Sequence, residues 1–159
     1  MRVAWTGHRP DLFHDPIAAR AAVESAAGTL VAEGATRFVV GGQRGVDTWA
    51  AVAALAHGIP FSLFLPFEVE TFAAEWVPAD RSVLEQTMSS AAEVRIAGDY
   101  TRRNRLLVEN ADLLVVVWSR TRGGGTAETL GLAQAAGIPM REIVLAPSGA
   151  AGAAHGRGI

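Results

Sequence analysis

Short apolar runs rich in β-branched and aromatic residues alternate along the chain with longer Ala- and Leu-rich stretches whose apolar positions recur at helical spacing. Residues 3–6 read as a first strand, and residues 16–33 as a helix. Pro16 suits the first helical turn, where its missing N–H leaves nothing unpaired, and Gly34 stands where a helix is commonly ended. A second strand over 37–40 runs into Gly41-Gly42-Gln43-Arg44-Gly45 and a helix to His57, closed by Gly58. Residues 60–65 form a third strand, apolar nearly throughout, as in a strand covered on both faces. Residues 68–90 are helical with an interruption at Pro78, and residues 93–96 are either a short strand or an extended loop. A helix over 100–110, a strongly apolar strand over 113–118, a helix over 124–136 and a last strand over 141–145 complete the pattern. Such alternation implies right-handed crossovers and a parallel sheet with helices on both faces. The expected fold is a Rossmann-like, doubly wound α/β domain over residues 1–146. The Ala/Gly/Ser tail over 147–159 has little to bury and is expected to fray.

Composition narrows the chemistry. The 159 residues are half hydrophobic and 19% charged, enough for one domain with a sizeable core and unlike a disordered chain. The net charge of −2 supplies no global field for nucleic acid or an anionic membrane. With no cysteine, disulfide scaffolds, thiol nucleophiles and thiolate metal sites are excluded. All 14 basic residues are arginine, which also excludes a P-loop lysine and a Schiff base. No secretory leader and no apolar run approaching the ~20 residues that span a bilayer is present. The expected setting is cytoplasmic, with no membrane partner.

In open α/β sheets ligands bind at the carboxyl ends of the strands, where the winding reverses. Three strands end there in glycine-rich turns that lead into helices, and these supply the candidate ligand-binding residues. They are Gly7, His8 and Arg9 after the first strand, and Gly41, Gly42, Gln43, Arg44, Gly45 and Asp47 after the second. Gly123, Gly124, Gly125 and Thr126 follow the strand that ends at Trp118. Backbone N–H groups at a helix N-terminus and arginine forks are the usual partners of phosphate oxygens. Glycines at such junctions can also serve packing alone. Neither GxGxxG nor GxxxxGK[ST] occurs, so the phosphate reading rests on convergence of the turns, and no dinucleotide or other cofactor is implied.

Arg102, Arg103 and Arg105 open a helix, where cations oppose the helix dipole and need an anionic ligand or an acidic neighbour. Asn104 sits among them. Asp47 could cap its helix or hold a ribose hydroxyl. Glu128, the acid of the third turn, is the candidate base, and His8 could take part in acid–base chemistry. His14, His57 and His155 are scattered, which suggests no metal site.

The segments "TGHRP", "GGQRGVDTWAA" and "RRNRLLVENADLLVVVWSRTRGGGTAE" resemble the SLOG superfamily, particularly its YpsA-like branch, over nearly the whole chain to Pro147. The resemblance implies a Rossmann-like fold that binds nucleotides or nucleotide-derived ligands, and homo-oligomers are common among such proteins. Residues 61–67 and 127–136 are the apolar stretches that could form an interface between copies. The superfamily includes the Lonely Guy phosphoribohydrolases, whose loop PGGxGTxxE and upstream arginine carry N-glycosidic cleavage. Gly125-Thr126 matches the GT of that loop, and Arg102 or Arg103 matches the arginine. The glutamate position falls on Thr129, with Glu128 one residue early, a rotation of ~100° on a helix. The superfamily also includes DprA, which binds single-stranded DNA; a net charge of −2 and 7% aromatic residues weigh against DNA here. Binding of a nucleotide-like small molecule, as for a sensor, is the first reading, phosphoribohydrolase the second, and single-strand DNA binding the third.

Overall fold

The structure, a computed structural model, describes residues 1–121 and 124–149. Six strands, β1 (Arg2–Gly7), β2 (Arg37–Val40), β3 (Phe61–Leu65), β4 (Glu93–Ile96), β5 (Leu113–Trp118) and β6 (Met140–Val144), form one parallel sheet in the order β4-β3-β2-β1-β5-β6. The chain winds outward from β1 to β4 through α1 (Pro16–Ala32), α2 (Val46–Ala56), α3 (Val69–Phe72) and α4 (Pro78–Ser90). It then returns through α5 (Tyr100–Glu109) to β5, on the other flank of β1, and ends through α6 (Gly125–Ala136) in β6. This is the expected doubly wound α/β arrangement, and its reversal lies between β1 and β5.

Two apolar layers sandwich the sheet, and the period-2 alternation of the strands sorts residues between them. Val3 and Trp5 of β1 and Leu113, Val115 and Val117 of β5 face the layer of α1, α2, α3 and α4. Ala4, Leu114, Val116 and Trp118 face the layer of α5 and α6. Burial of β3 on both sides accounts for its nearly continuous apolar run, broken only by the buried Ser62, so residues 61–65 are core within this chain and offer no surface to a second copy.

Pro78 is the first residue of α4 and does not interrupt a longer helix. The residue before a proline is driven to extended backbone, and Val77 has ψ 150°. Residues 93–96 are a strand, paired in register with Ser62–Leu65 at the sheet edge. Of the tail expected to fray, residues 150–159 lie outside the described residues. Its start is held: the Ser148 N–H donates to the Leu12 carbonyl, and Pro147 bridges Phe13. Among the described residues no helix is long and apolar enough to cross a membrane.

Candidate functional site

Where the winding reverses, a cleft of about 310 Å³ opens at the carboxyl ends of the strands. Its walls come from the loop after β1, the loop into α2, one face of α5 and the N-terminus of α6. The floor is set by α5. Tyr100, Arg103, Asn104 and Leu107, at i, i+3, i+4 and i+7, share the face turned to the cleft. Arg102, one residue off that face, is 70% exposed and pairs with Asp99 at 3.6 Å. Asp99 also caps α5, accepting the Arg102 N–H at 2.7 Å. The helical period thus decides between the two candidate arginines: Arg103 belongs to the cleft and Arg102 to solvent.

Arg103 is buried. Its Nη1 donates to the Gly41 carbonyl, and its Nε donates to Asn104 Oδ1 at 2.9 Å. Burial lowers its pKa from the usual arginine value, while Asp47, then Tyr100 and Glu128, oppose that shift. The acidic neighbour that the arginine cluster required is therefore Asp47, reached across the fold. Asp47 is not the cap of α2: the N-cap is Gly45, and no side chain caps that end. Instead Asp47 Oδ2 accepts the Gln43 N–H at 3.1 Å and braces the loop. Burial raises its pKa from 3.8 to about 6, against the pull of Arg103 and of backbone hydrogen bonds from Gln43 and Gly41.

The glycine turns divide by what occupies their donors. A Cβ on Gly41 would stand 2.6 Å from Arg103 Nη1, and one on Gly45 would stand 2.5 Å from the His8 carbonyl. Gly7 and Gly42 are pressed as closely, against the Val117 carbonyl and the Leu65 side chain. These four glycines are explained by close approach. Several N–H groups of their loops are also engaged: His8 donates to the Val117 carbonyl, Arg44 to Gln43 Oε1, and Val46 to the His8 carbonyl. Gly41, Gly42 and Gly45 do not line the cleft, and Arg44 turns away from it toward Asp80.

The third turn differs. Gly124 takes φ 84° as the N-cap of α6, and among the described residues nothing stands within 4 Å of where its Cβ would be and no side chain caps the helix. The N–H groups of Gly125, Thr126 and Ala127 precede the first intrahelical bond, Glu128 N–H to the Gly124 carbonyl at 2.9 Å. Gly124, Gly125 and Thr126 all line the cleft; Gly123 lies outside the described residues. Asn104 faces this end. Arg103 Nε can only donate, so Oδ1 must face it, and the amide nitrogen turns away. That nitrogen is buried and has no hydrogen-bond partner among the described residues. It lies 3.8 Å from where a Cβ on Gly125 would stand.

Arg9, His8 and Gln43 complete the lining among the expected residues. Arg9 pairs with Asp11 at 3.6 Å and remains partly exposed. His8 is buried between the rings of Phe13 and Trp118, at centroid distances of 5.8 and 6.1 Å. Glu128 is exposed and outside the lining, and Thr129 is buried with its hydroxyl bonded to the Gly125 carbonyl at 2.8 Å. Sequence reasoning missed Tyr100 and Leu107 as cleft residues, although their spacing from Arg103 and Asn104 carries the signal.

Residues 38–154 match the family described as the circularly permutated YpsA SLOG family. Two solved structures are similar in fold. The structural-genomics target TM1055 has a TM-score of 0.61 at 23% identity, covering 87% of this chain and 71% of that one. DNA processing protein A (DprA) from Streptococcus pneumoniae has a TM-score of 0.65 at 19% identity, covering 89% of this chain. The match spans 49% of DprA, about half its length. No protein of curated function matches the chain in sequence.

Proposed function

The chain belongs to the circularly permutated YpsA SLOG family, and on that footing we propose that its cleft binds the phosphate of a nucleotide or nucleotide-derived ligand. Family membership supports a nucleotide-related or DNA-processing role in general terms. The observation that carries the finer reading is the buried Asn104 amide, without a partner among the described residues, beside an N-terminus of α6 that no described side chain caps. Leaving a buried donor unmade costs about 1–3 kcal/mol, which an oxyanion seated there would recover. The helix dipole and the N–H groups of the first turn act in the same sense. Arg9 adds a charged fork from the facing loop and Thr126 a hydroxyl. Tyr100, 48% exposed at the mouth, gives a base a surface to stack on.

Binding is favoured over N-glycosidic cleavage. Among the described residues Asp47 is the one carboxylate in the lining, and it is directed at Arg103 and the Gln43 N–H. Glu128 stands outside the lining, and Thr129 offers no acid. A thermal-shift panel of nucleoside monophosphates tests the reading. A ligand at a hundred times its Kd stabilises by about 2.7 kcal/mol, an upward shift readily seen for a chain of this size. A panel in which nothing shifts the transition would overturn the proposal.

A further inference from the structure

A second cavity of about 400 Å³ lies behind the cleft, between α1, α2 and α4. Its volume is in the range of small-molecule sites. The two cavities are separate: Gln43 lines the first, and the next residue, Arg44, lines the second. Trp49 and Trp76 give the second cavity aromatic walls, and Val52 and Val83 line it although 42% and 40% exposed.

Arg20, Arg44, Thr48, Asp80 and Gln86 supply the polar part of the lining; Arg20 is paired with Glu24 at 2.9 Å, which leaves Arg44 as the cation set against the aromatic wall. Its guanidinium lies over the Trp76 ring, 5.0 Å from the centroid. Nη1 stands 3.8 Å from Asp80 Oδ2, close enough for an ion pair but beyond hydrogen-bonding reach. Nε is buried without a partner among the described residues. A guanidinium carries five N–H donors in a flat fork that matches a carboxylate. Asp80 offsets part of its charge and would repel a dianion, so a singly charged acid fits better than a phosphate. The apolar part of the wall, Pro10, Trp49, Val52, Trp76 and Val83, suits a flat ring system.

From these features we propose that the second cavity is a binding site for a small aromatic carboxylate, its ring against Trp49 and Trp76 and its carboxylate on Arg44. The site is independent of the nucleotide cleft and does not rest on that reading. Isothermal titration of the full chain with 2-naphthoate should give one saturable site. The neutral 2-naphthalenemethanol should bind the same protein at least about tenfold more weakly, the worth of one charge-assisted hydrogen bond. Arg44→Gln should erase that difference by weakening naphthoate alone. The comparison of the two compounds on unaltered protein stands even if the variant fails to fold. Absence of saturable naphthoate binding would overturn the proposal, as would equal affinity for the neutral analogue. Competitive displacement by AMP would also overturn it, because the compound would then occupy the cleft.

Discussion

Replacing Asp47 by Asn should remove a pH dependence that runs opposite to that of ordinary carboxylates. Asp47 is 6% exposed, and burial raises its pKa from 3.8 to about 6 despite the attraction of Arg103. The folded state therefore holds this proton more tightly than the unfolded chain does. Its contribution to stability is full below pH 3.8 and is lost as the pH rises through about 6. A rise of about two units corresponds to about 3 kcal/mol at 1.36 kcal/mol per unit. Asn keeps an oxygen for the Gln43 N–H and cannot titrate. Urea unfolding of both proteins from about pH 3.5 to about pH 7.5 isolates the group, because all other titrations cancel in the difference. The stability of the unaltered protein minus that of Asp47→Asn should fall by about 3 kcal/mol across this range, mostly between about pH 4 and pH 6. A difference that stays flat, or that grows with pH, would refute the reasoning: the pull of Arg103 would then equal or exceed the cost of burial.

Gly41→Ala places a methyl 2.6 Å from Arg103 Nη1 and 3.1 Å from Asp47 Oδ2, and should cost about 1–3 kcal/mol in chemical denaturation. Arg103→Gln leaves the Asp47 charge buried and uncompensated; the loss should reach about 3–5 kcal/mol at pH 7 and shrink near pH 4, where Asp47 is protonated. Arg102→Gln, on the solvent face of α5, should stay within about 0.5 kcal/mol of the unaltered protein and leave the nucleotide-induced thermal shift intact. Arg9→Gln should weaken nucleotide binding by about tenfold in the same assay, through the loss of one charge-assisted contact.

The elements were legible where burial imposes a period. β5 and β3 announce themselves because both faces are covered, and α5 because its face toward the sheet recurs at i, i+3 and i+4. β4 reads equally as strand or loop because three of its four residues are exposed, so the alternation that betrays a half-buried strand is missing. The site was legible as a place but not as a set of contacts. Glycine-rich turns mark the carboxyl ends of β1, β2 and β5, and the fold does bring these ends together. Whether a turn offers its N–H groups depends on partners remote in sequence. The His8 N–H is taken by Val117 on a neighbouring strand, and the Gln43 N–H by a carboxylate that the local pattern reads as a helix cap. Asp47 turned out to answer Arg103, a relation between two helices that no local spacing encodes. The choice of Arg103 over Arg102 was within reach, since only Arg103 shares a helical face with Tyr100, Asn104 and Leu107.

The most direct test of the proposed phosphate site is residue-resolved. In an amide ¹H–¹⁵N spectrum of the labelled protein, addition of AMP should move the Asn104 side-chain NH₂ pair and the backbone signals of Gly125 and Thr126 together, with one saturation curve. The Asn104→Asp variant keeps the oxygen that Arg103 needs while replacing the donor by an acceptor, and it should abolish the response. Saturable shifts elsewhere with these three groups unmoved, or an unchanged response in Asn104→Asp, would contradict the assignment of the α6 N-terminus as the phosphate seat.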